Sequence, residues 1–241
     1  MKYNRAFNRS CTQLRNFEII RNFTSQAVGS VFIKAGDTYV LCTATIVENV
    51  PDFMKKQKDC GWVTAEYSML PAATHIRSNR ESVYGKQTGR SHEIQRFIGR
   101  SIRSMFDLSL LGSRTIHFDC DVIQADGGTR CASITGACIA AFDAVSYLID
   151  NGFINKNPIF NYIAAVSVGK VGDKLLLDMD YTEDCNCDVD MNVVMDAKGR
   201  FVEIQATGEK SLFSMNDMND MIVLAQEGIS KLINLQKECF S

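Results

Sequence analysis

Proline is scarce in this 241-residue chain, with three in all, and there are one tryptophan and three histidines. With 46% hydrophobic and 22% charged residues, so little proline excludes a disordered chain and leaves enough apolar material for a substantial core. The length allows one large domain or two small ones fused into one body. No apolar stretch follows the early Lys2 and Arg5, and residues 1–21 are polar. A signal peptide is therefore not expected, and a cytoplasmic location is. The longest apolar run, residues 132–149, is broken by Ser133, Thr135, Asp143 and Ser146, so it reads as a buried helix and no membrane association is expected. Nine cysteines are present without a CxxC pair, and Cys185-Asn186-Cys187 has no histidine beside it. That spacing excludes the ordinary zinc patterns, and the odd count excludes a complete set of internal disulfides. Reduced thiols acting as small apolar residues are expected.

An excess of basic charge is also missing: the net charge is −2. The distribution carries more than the sum. Between positions 77 and 103 stand Arg77, Arg80, Lys86, Arg90, Arg96, Arg100 and Arg103, opposed only by Glu81 and Glu93. Between 173 and 190 stand Asp178, Asp180, Glu183, Asp184, Asp188 and Asp190, with Lys174 the only base. A basic and an acidic block in one chain suit a site that handles polyanions with a bound cation. Two solvated faces would produce the same pattern.

Residues 31–33 and 39–46 are β-rich around Ala35-Gly36-Asp37 and read as a hairpin. Residues 71–88 lack periodicity and read as a long exposed loop. Ile94, Phe97, Ile98, Ile102 and Met105 recur at helical spacing over 90–106. Residues 115–122 alternate, with Ile116, Phe118, Cys120 and Val122 facing inward. An almost wholly apolar helix is expected over 129–149. Two further hairpins are expected, 163–168 with 175–180 and 191–195 with 201–205, followed by a helix over 216–236. Both halves run from paired strands to helices, so a duplicated α+β unit is expected, not an alternating parallel sheet.

Asp126-Gly127-Gly128-Thr129-Arg130 stands between a strand and the apolar helix. A helix N-terminus offers unpaired N–H groups and positive partial charge, two glycines let an anion come close, and Arg130 adds a forked cation. The GxxxxGK[ST] spacing of a P-loop is absent. A tight turn capped by Asp126 or Thr129 fits the same residues. Arg90 opens a helix where its charge opposes the dipole, and a bound anion would supply the reason. Asp178 and Asp180 point to one face if extended, and Asp184 could return to it. Such carboxylates suit Mg²⁺ or Mn²⁺. An acidic loop facing solvent would look the same.

Taken together these runs resemble the ribonuclease PH family. The matching segments are Gly61-Trp62-Val63-Thr64-Ala65-Glu66-Tyr67, Gly89-Arg90, Glu93-Ile94-Gln95-Arg96, the run from Asp119 through Asp126-Gly127-Gly128-Thr129-Arg130 to Gly136, the stretch from Leu177-Asp178 to Asp184, and Asp190-Met191-Asn192-Val193-Val194-Met195. The likeness spans about Arg15 to Gln236. It implies two βαβα units of the ribosomal-protein-S5-domain-2-like type, here over 15–150 and 158–237. It also implies a homo-hexameric ring built as a trimer of dimers, and phosphate-dependent 3′→5′ trimming of tRNA precursors. The family's phosphate-binding residues fall on Arg90, Gly128, Thr129 and Arg130, and its catalytic and metal-binding aspartates on Asp178 and Asp184. Arg77, Arg80 and Arg96 of the basic block are expected to hold RNA, with inorganic phosphate as co-substrate.

The sequence departs from the family in three places. Ala72 stands where an arginine is usual, residues 205–210 differ from the usual Gln-Gly-Thr-Ala-Glu-Gly, and Lys55-Lys56-Gln57-Lys58 replaces a glycine-rich stretch. These bear on loop shape and substrate range. A non-catalytic ring subunit would be expected to lose the phosphate arginines or the aspartates. A hydrolytic nuclease would need the carboxylates but no second anion site. His75, His92 and His117 form no visible nucleophile–base arrangement.

Overall fold

A computed structural model describes residues 5–56 and 60–241. Gln57 and Lys58 of the lysine-rich departure lie outside the described residues. Nine strands and four α-helices are present among them. Strands β1 (Phe17–Arg21), β2 (Gly29–Ala35), β3 (Thr38–Val47), β4 (Trp62–Met69) and β5 (Thr115–Gln124) make one sheet in the order β1-β2-β3-β5-β4. Only β4 and β5 are parallel, joined by α1 (Gly89–Arg103). Strands β6 (Ile163–Val171), β7 (Lys174–Leu177), β8 (Val189–Asp196) and β9 (Phe201–Gly208) make a second, antiparallel sheet in the order β7-β6-β8-β9. Helix α2 (Thr129–Asp150) follows β5, the six-residue α3 (Tyr181–Asn186) follows β7, and α4 (Met215–Glu238) closes the chain.

The layers follow from which side chains are apolar. Val31, Ile33, Val40, Cys42, Ile116 and Phe118 alternate along β2, β3 and β5, are fully buried, and pack on α1 and α2. The second sheet is covered on both sides: Ile163, Ala165 and Val194 face α2, whereas Ala164, Val166, Met191 and Val193 face α4. Helix α2 is long and apolar enough to cross a membrane, but here it is a core helix, held between the two sheets. Five of the nine thiols, at Cys42, Cys120, Cys131, Cys138 and Cys187, are buried, and none of the nine is in a disulfide. Each behaves as a small core residue.

The expected hairpins and long helices are present with ends shifted by a few residues. One expectation fails at a place that matters. Residues 175–180 do not run on as a strand, because β7 stops at Leu177 and Asp178 is left-handed with φ 54°. Asp178 and Asp180 therefore do not share a strand face. Asp180 instead caps α3, exchanging hydrogen bonds with Glu183 in a capping box.

Candidate active site

The turn after β5 folds because Gly127 and Gly128 adopt φ values of 75° and 64°, which strain any residue with a Cβ. A Cβ on Gly127 would also meet the Met179 carbonyl oxygen at 2.6 Å and the Asp180 carbonyl carbon at 2.7 Å, so the second half packs directly on this turn. Thr38 pins it from below: its hydroxyl donates to the Gly127 carbonyl (2.6 Å) and accepts from the Asp126 N–H (2.9 Å). Gly128 is the N-cap of α2 and no side chain caps that helix, so the first-turn N–H groups keep their capacity for an anion. Neither Asp126 nor Thr129 does the capping. The Asp126 carboxylate accepts from the Tyr181 N–H (3.2 Å), and the Thr129 hydroxyl sits 2.8 Å from that of Tyr67.

Two arginines flank this turn. Arg130 follows on α2, with its guanidinium 3.3 Å from Gln205 Oε1 and 3.6 Å from Glu93. Arg90 is the second residue of α1, whose N-terminus is capped by the Thr88 hydroxyl accepting from Ser91 N–H at 3.2 Å. The sequence reading of Arg90 as a cation at the positive end of a helix dipole is thus what the fold contains. Arg90, Gly128, Thr129 and Arg130 share the wall of one cavity of about 770 Å³.

Asp184 and Asp190 stand in the same cavity. Asp184 is carried on α3, and loss of water around it raises its carboxyl despite the opposing charges of Arg130 and Arg90. Asp190 is on β8, opposite Gly169 and Thr207. Desolvation, then the charge of Asp184, lifts its carboxyl to about 6. Asn192 donates to Asp190 Oδ2 (3.1 Å), while Asp190 Oδ1 is buried without a hydrogen-bond partner. Two neighbouring carboxylates, one with an orphaned buried oxygen, fit a hard divalent cation. Among the described residues no group of three or more His, Cys, Asp or Glu could hold a metal by itself. The pair therefore suits a cation such as Mg²⁺ that completes its shell with water and phosphate oxygens.

Asp178, expected beside Asp184 as a ligand, is placed elsewhere. It is 3% exposed and does not line the cavity. Arg15 takes both of its oxygens, through NH2 to Oδ1 (2.7 Å) and through Nε (3.1 Å) and the backbone N–H (2.8 Å) to Oδ2. Burial pushes the Asp178 carboxyl up, but the charge and hydrogen bonds of Arg15, with the charge of Arg9, outweigh it and hold it below the usual range. Arg5 pairs with Glu183 at 2.6 Å and donates to the Leu177 carbonyl at 2.8 Å, and Arg9 donates to the Asp178 carbonyl at 2.8 Å. The early arginines, read from sequence only as part of a polar N-terminus, are buried under the acidic segment. Their spacing gave no signal, because their partners lie more than 160 residues away.

The loop of residues 71–88 is exposed as expected and sends Thr74, His75 and Ile76 to the cavity. His75 and Tyr181 face each other at the rim, with ring centroids 6.0 Å apart. Arg77, Arg80 and Arg96 are exposed and lie outside the cavity wall. Asp190 is the cavity carboxylate to which the sequence reading gave no role. Its place in the acidic block and at the head of Asp190-Met191-Asn192 was the available signal.

Comparison with known proteins shows the family and the fold. Two family models match: domain 1 of the 3′ exoribonuclease family over residues 13–146 and domain 2 over residues 161–228. Among solved structures, rice (Oryza sativa) Rrp46 superposes with a TM-score of 0.80 at 18% identity, covering 98% of this chain and 100% of that one. A chain of the Archaeoglobus fulgidus exosome with RNA bound to the active site gives 0.82 at 23% identity, covering 99% and 93%. A chain of an archaeal exosome core gives 0.74 at 21%, covering 95% and 89%. The α+β fold of two S5-domain-2-like units is that of these chains.

Proposed function

This chain belongs to the 3′ exoribonuclease family through both of its domains, and from that premise we propose that it is a phosphate-dependent 3′→5′ exoribonuclease acting on RNA 3′ ends. The observation that carries the reading is the shared cavity, with Arg90, Thr129, Arg130 and the open N-terminus of α2 on one side and Asp184 with Asp190 on the other. A hydrolase needs no second anion site beside its carboxylates. A phosphorolase does, because its nucleophile is itself an anion.

In the proposed reaction Arg90, Arg130 and the first-turn N–H groups of α2 hold inorganic phosphate, and Thr129 is set by Tyr67 to meet it. A phosphate oxygen attacks the phosphorus of the last internucleotide linkage, and the bond to the 3′ oxygen of the penultimate nucleotide breaks. One proton passes from the incoming phosphate to the departing oxygen, with Asp184 as the carboxylate that relays it. The products are a nucleoside diphosphate and an RNA one nucleotide shorter. One bond of the same kind forms as another breaks, so nucleotide addition is the expected reverse. Mg²⁺ or Mn²⁺ held by Asp184 and Asp190 would supply charge neutralisation at the reacting phosphates. Most of the rate would come from positioning and fixed charge.

RNA would approach over the exposed Arg77, Arg80 and Arg96, and tRNA precursors are the proposed substrate. A homo-hexameric ring is proposed for the assembly. Nine free thiols suit a reducing compartment, so a cytoplasmic location goes with this reading. The alternative reading is a ring subunit that binds RNA without cutting it. The test is incubation of a 3′-tailed tRNA with Mg²⁺, with and without inorganic phosphate, and analysis of the released nucleotides. Diphosphates released only with phosphate are expected. Monophosphates released without phosphate would make it a hydrolase, and RNA binding without release would favour the silent subunit.

A further inference from the structure

Asp178 does not look into the cavity, yet it is held by more groups than any carboxylate that does. The Arg15 guanidinium that grips it has no exposed side-chain surface. From its other edge the same guanidinium donates to the Asp126 carbonyl (2.5 Å) and approaches the Gly127 carbonyl (3.4 Å). One buried fork therefore spans the turn that opens α2 and the segment that leads into α3. The second half reinforces the join: Met179 and Asp180 press on Gly127, and the Asp126 carboxylate takes the Tyr181 N–H. Arg5 and Arg9 fix the far side through the carbonyls of Leu177 and Asp178 and through Glu183, the residue beside Asp184. Asp178 is kept left-handed by these contacts, a conformation a non-glycine residue holds only when its surroundings over-determine it.

We propose that Arg15 and Asp178 form a positioning joint that sets the distance between the anion-binding turn at 126–130 and the carboxylate helix at 180–184. Asp178 then acts through the backbone it holds and touches neither substrate nor cation. This rests on the proposed reaction for its kinetic consequence, but not for its structural one. Charge alone does not make the joint. A lysine at position 15 could pair with Asp178 as a point charge, but it could not also reach two carbonyls of the turn with fixed geometry.

The test uses the full chain with Arg15→Lys, Asp178→Asn, and the apolar pair Arg15→Met with Asp178→Leu, which removes both charges without stranding either. The first readout is amide hydrogen exchange, which needs no turnover. In each folded variant, exchange at the hydrogen-bonded amides of the two segments, Asp126 on one side and Asp180, Tyr181, Glu183 and Asp184 on the other, is expected to rise together by ~10-fold or more, while the interiors of β3, β5 and α2 keep their protection. The second readout is the split between KM for phosphate and kcat in the tailed-tRNA assay. Both should worsen, with a combined loss on the order of 100-fold for a displacement near 1 Å, and the apolar pair should be no worse than the single variants. Faster exchange in only one of the two segments would overturn the joint. So would an Asp178→Asn variant with depressed kcat but unchanged phosphate KM and unchanged exchange, because that result makes Asp178 a catalytic residue. If the unmodified protein releases no diphosphate, the proposed reaction fails while the exchange data still decide the joint.

Discussion

Replacing Asp190 with asparagine should stabilise this protein at neutral pH while damaging its site. The Asp190 carboxyl rises from 3.8 in the unfolded chain to about 6 in the fold, chiefly because it is desolvated and then because Asp184 repels it. A group whose pKa is raised on folding favours the fold fully below its unfolded pKa. That contribution is lost as pH rises through the folded value, here between 3.8 and about 6. Two pKa units correspond to ~3 kcal/mol withheld from folding above pH 6. Asparagine has the same shape and can still accept the Asn192 hydrogen bond, so it recovers most of this, less the difference between a charged and a neutral acceptor. A net gain of ~1–3 kcal/mol should lift Tm by ~2–10 °C in a chain of this size. Thermal melts of both forms from pH 4 to pH 8, in chelator, are the assay. The gap should be small at pH 4, open between pH 4 and 6, and stay constant above. With Mg²⁺ added, the unmodified protein should close part of the gap and the variant should not respond. A variant less stable than the unmodified protein at pH 7.5 would refute the argument that burial and Asp184 strain this carboxylate.

Arg130→Ala should raise the phosphate concentration needed for half-maximal turnover by ~10-fold or more, read from initial rates against phosphate; an unchanged requirement would take it out of the anion site. Asp184→Asn should abolish turnover while leaving circular dichroism and assembly state unchanged, and undiminished turnover would sink its role. Ala72→Arg should tighten RNA binding and steepen its dependence on log salt by ~0.7, measured by titration at several ionic strengths. Gly127→Ala should cost at least ~1 kcal/mol in denaturant unfolding from left-handed strain alone, plus the clash with the Met179 and Asp180 backbone.

Elements built from repeating patterns were legible in the sequence. The alternation of Ile116, Phe118, Cys120 and Val122 and the stripe of Ile94, Phe97, Ile98 and Ile102 each reported a buried face correctly. The short pieces were not. β1 has five residues at a sheet edge, and α3 has six, too few for periodicity to register. The Asp180-x-x-Glu183 capping box was the one local sign of α3. The glycine turn and the two helix starts are set by local backbone, so the sequence could pick out Gly128, Thr129, Arg130 and Arg90, which share one cavity wall. On the acidic side the pattern misled. A strand would carry Asp178 and Asp180 to one face, but Arg15, 163 residues away, turns the chain before they reach it. A partner that remote leaves no mark on local spacing, and the same remoteness hid Asp190 among other carboxylates.

The buried arginines also bear on how the protein is made. Glu183, which closes the ion pair of Arg5, leaves the ribosome 178 positions after it. At synthesis rates of ~5–20 residues per second, the arginine waits roughly 10–35 s for its partner. Once residues 126–130 have been made, and until residues 178–184 follow, the turn exists in the chain but the segment that orients it does not. In that last stretch a nascent chain would carry both arginines of the proposed phosphate site while its cavity stayed unassembled, and competence would come only after α3 had been synthesised and locked over Arg5, Arg9 and Arg15.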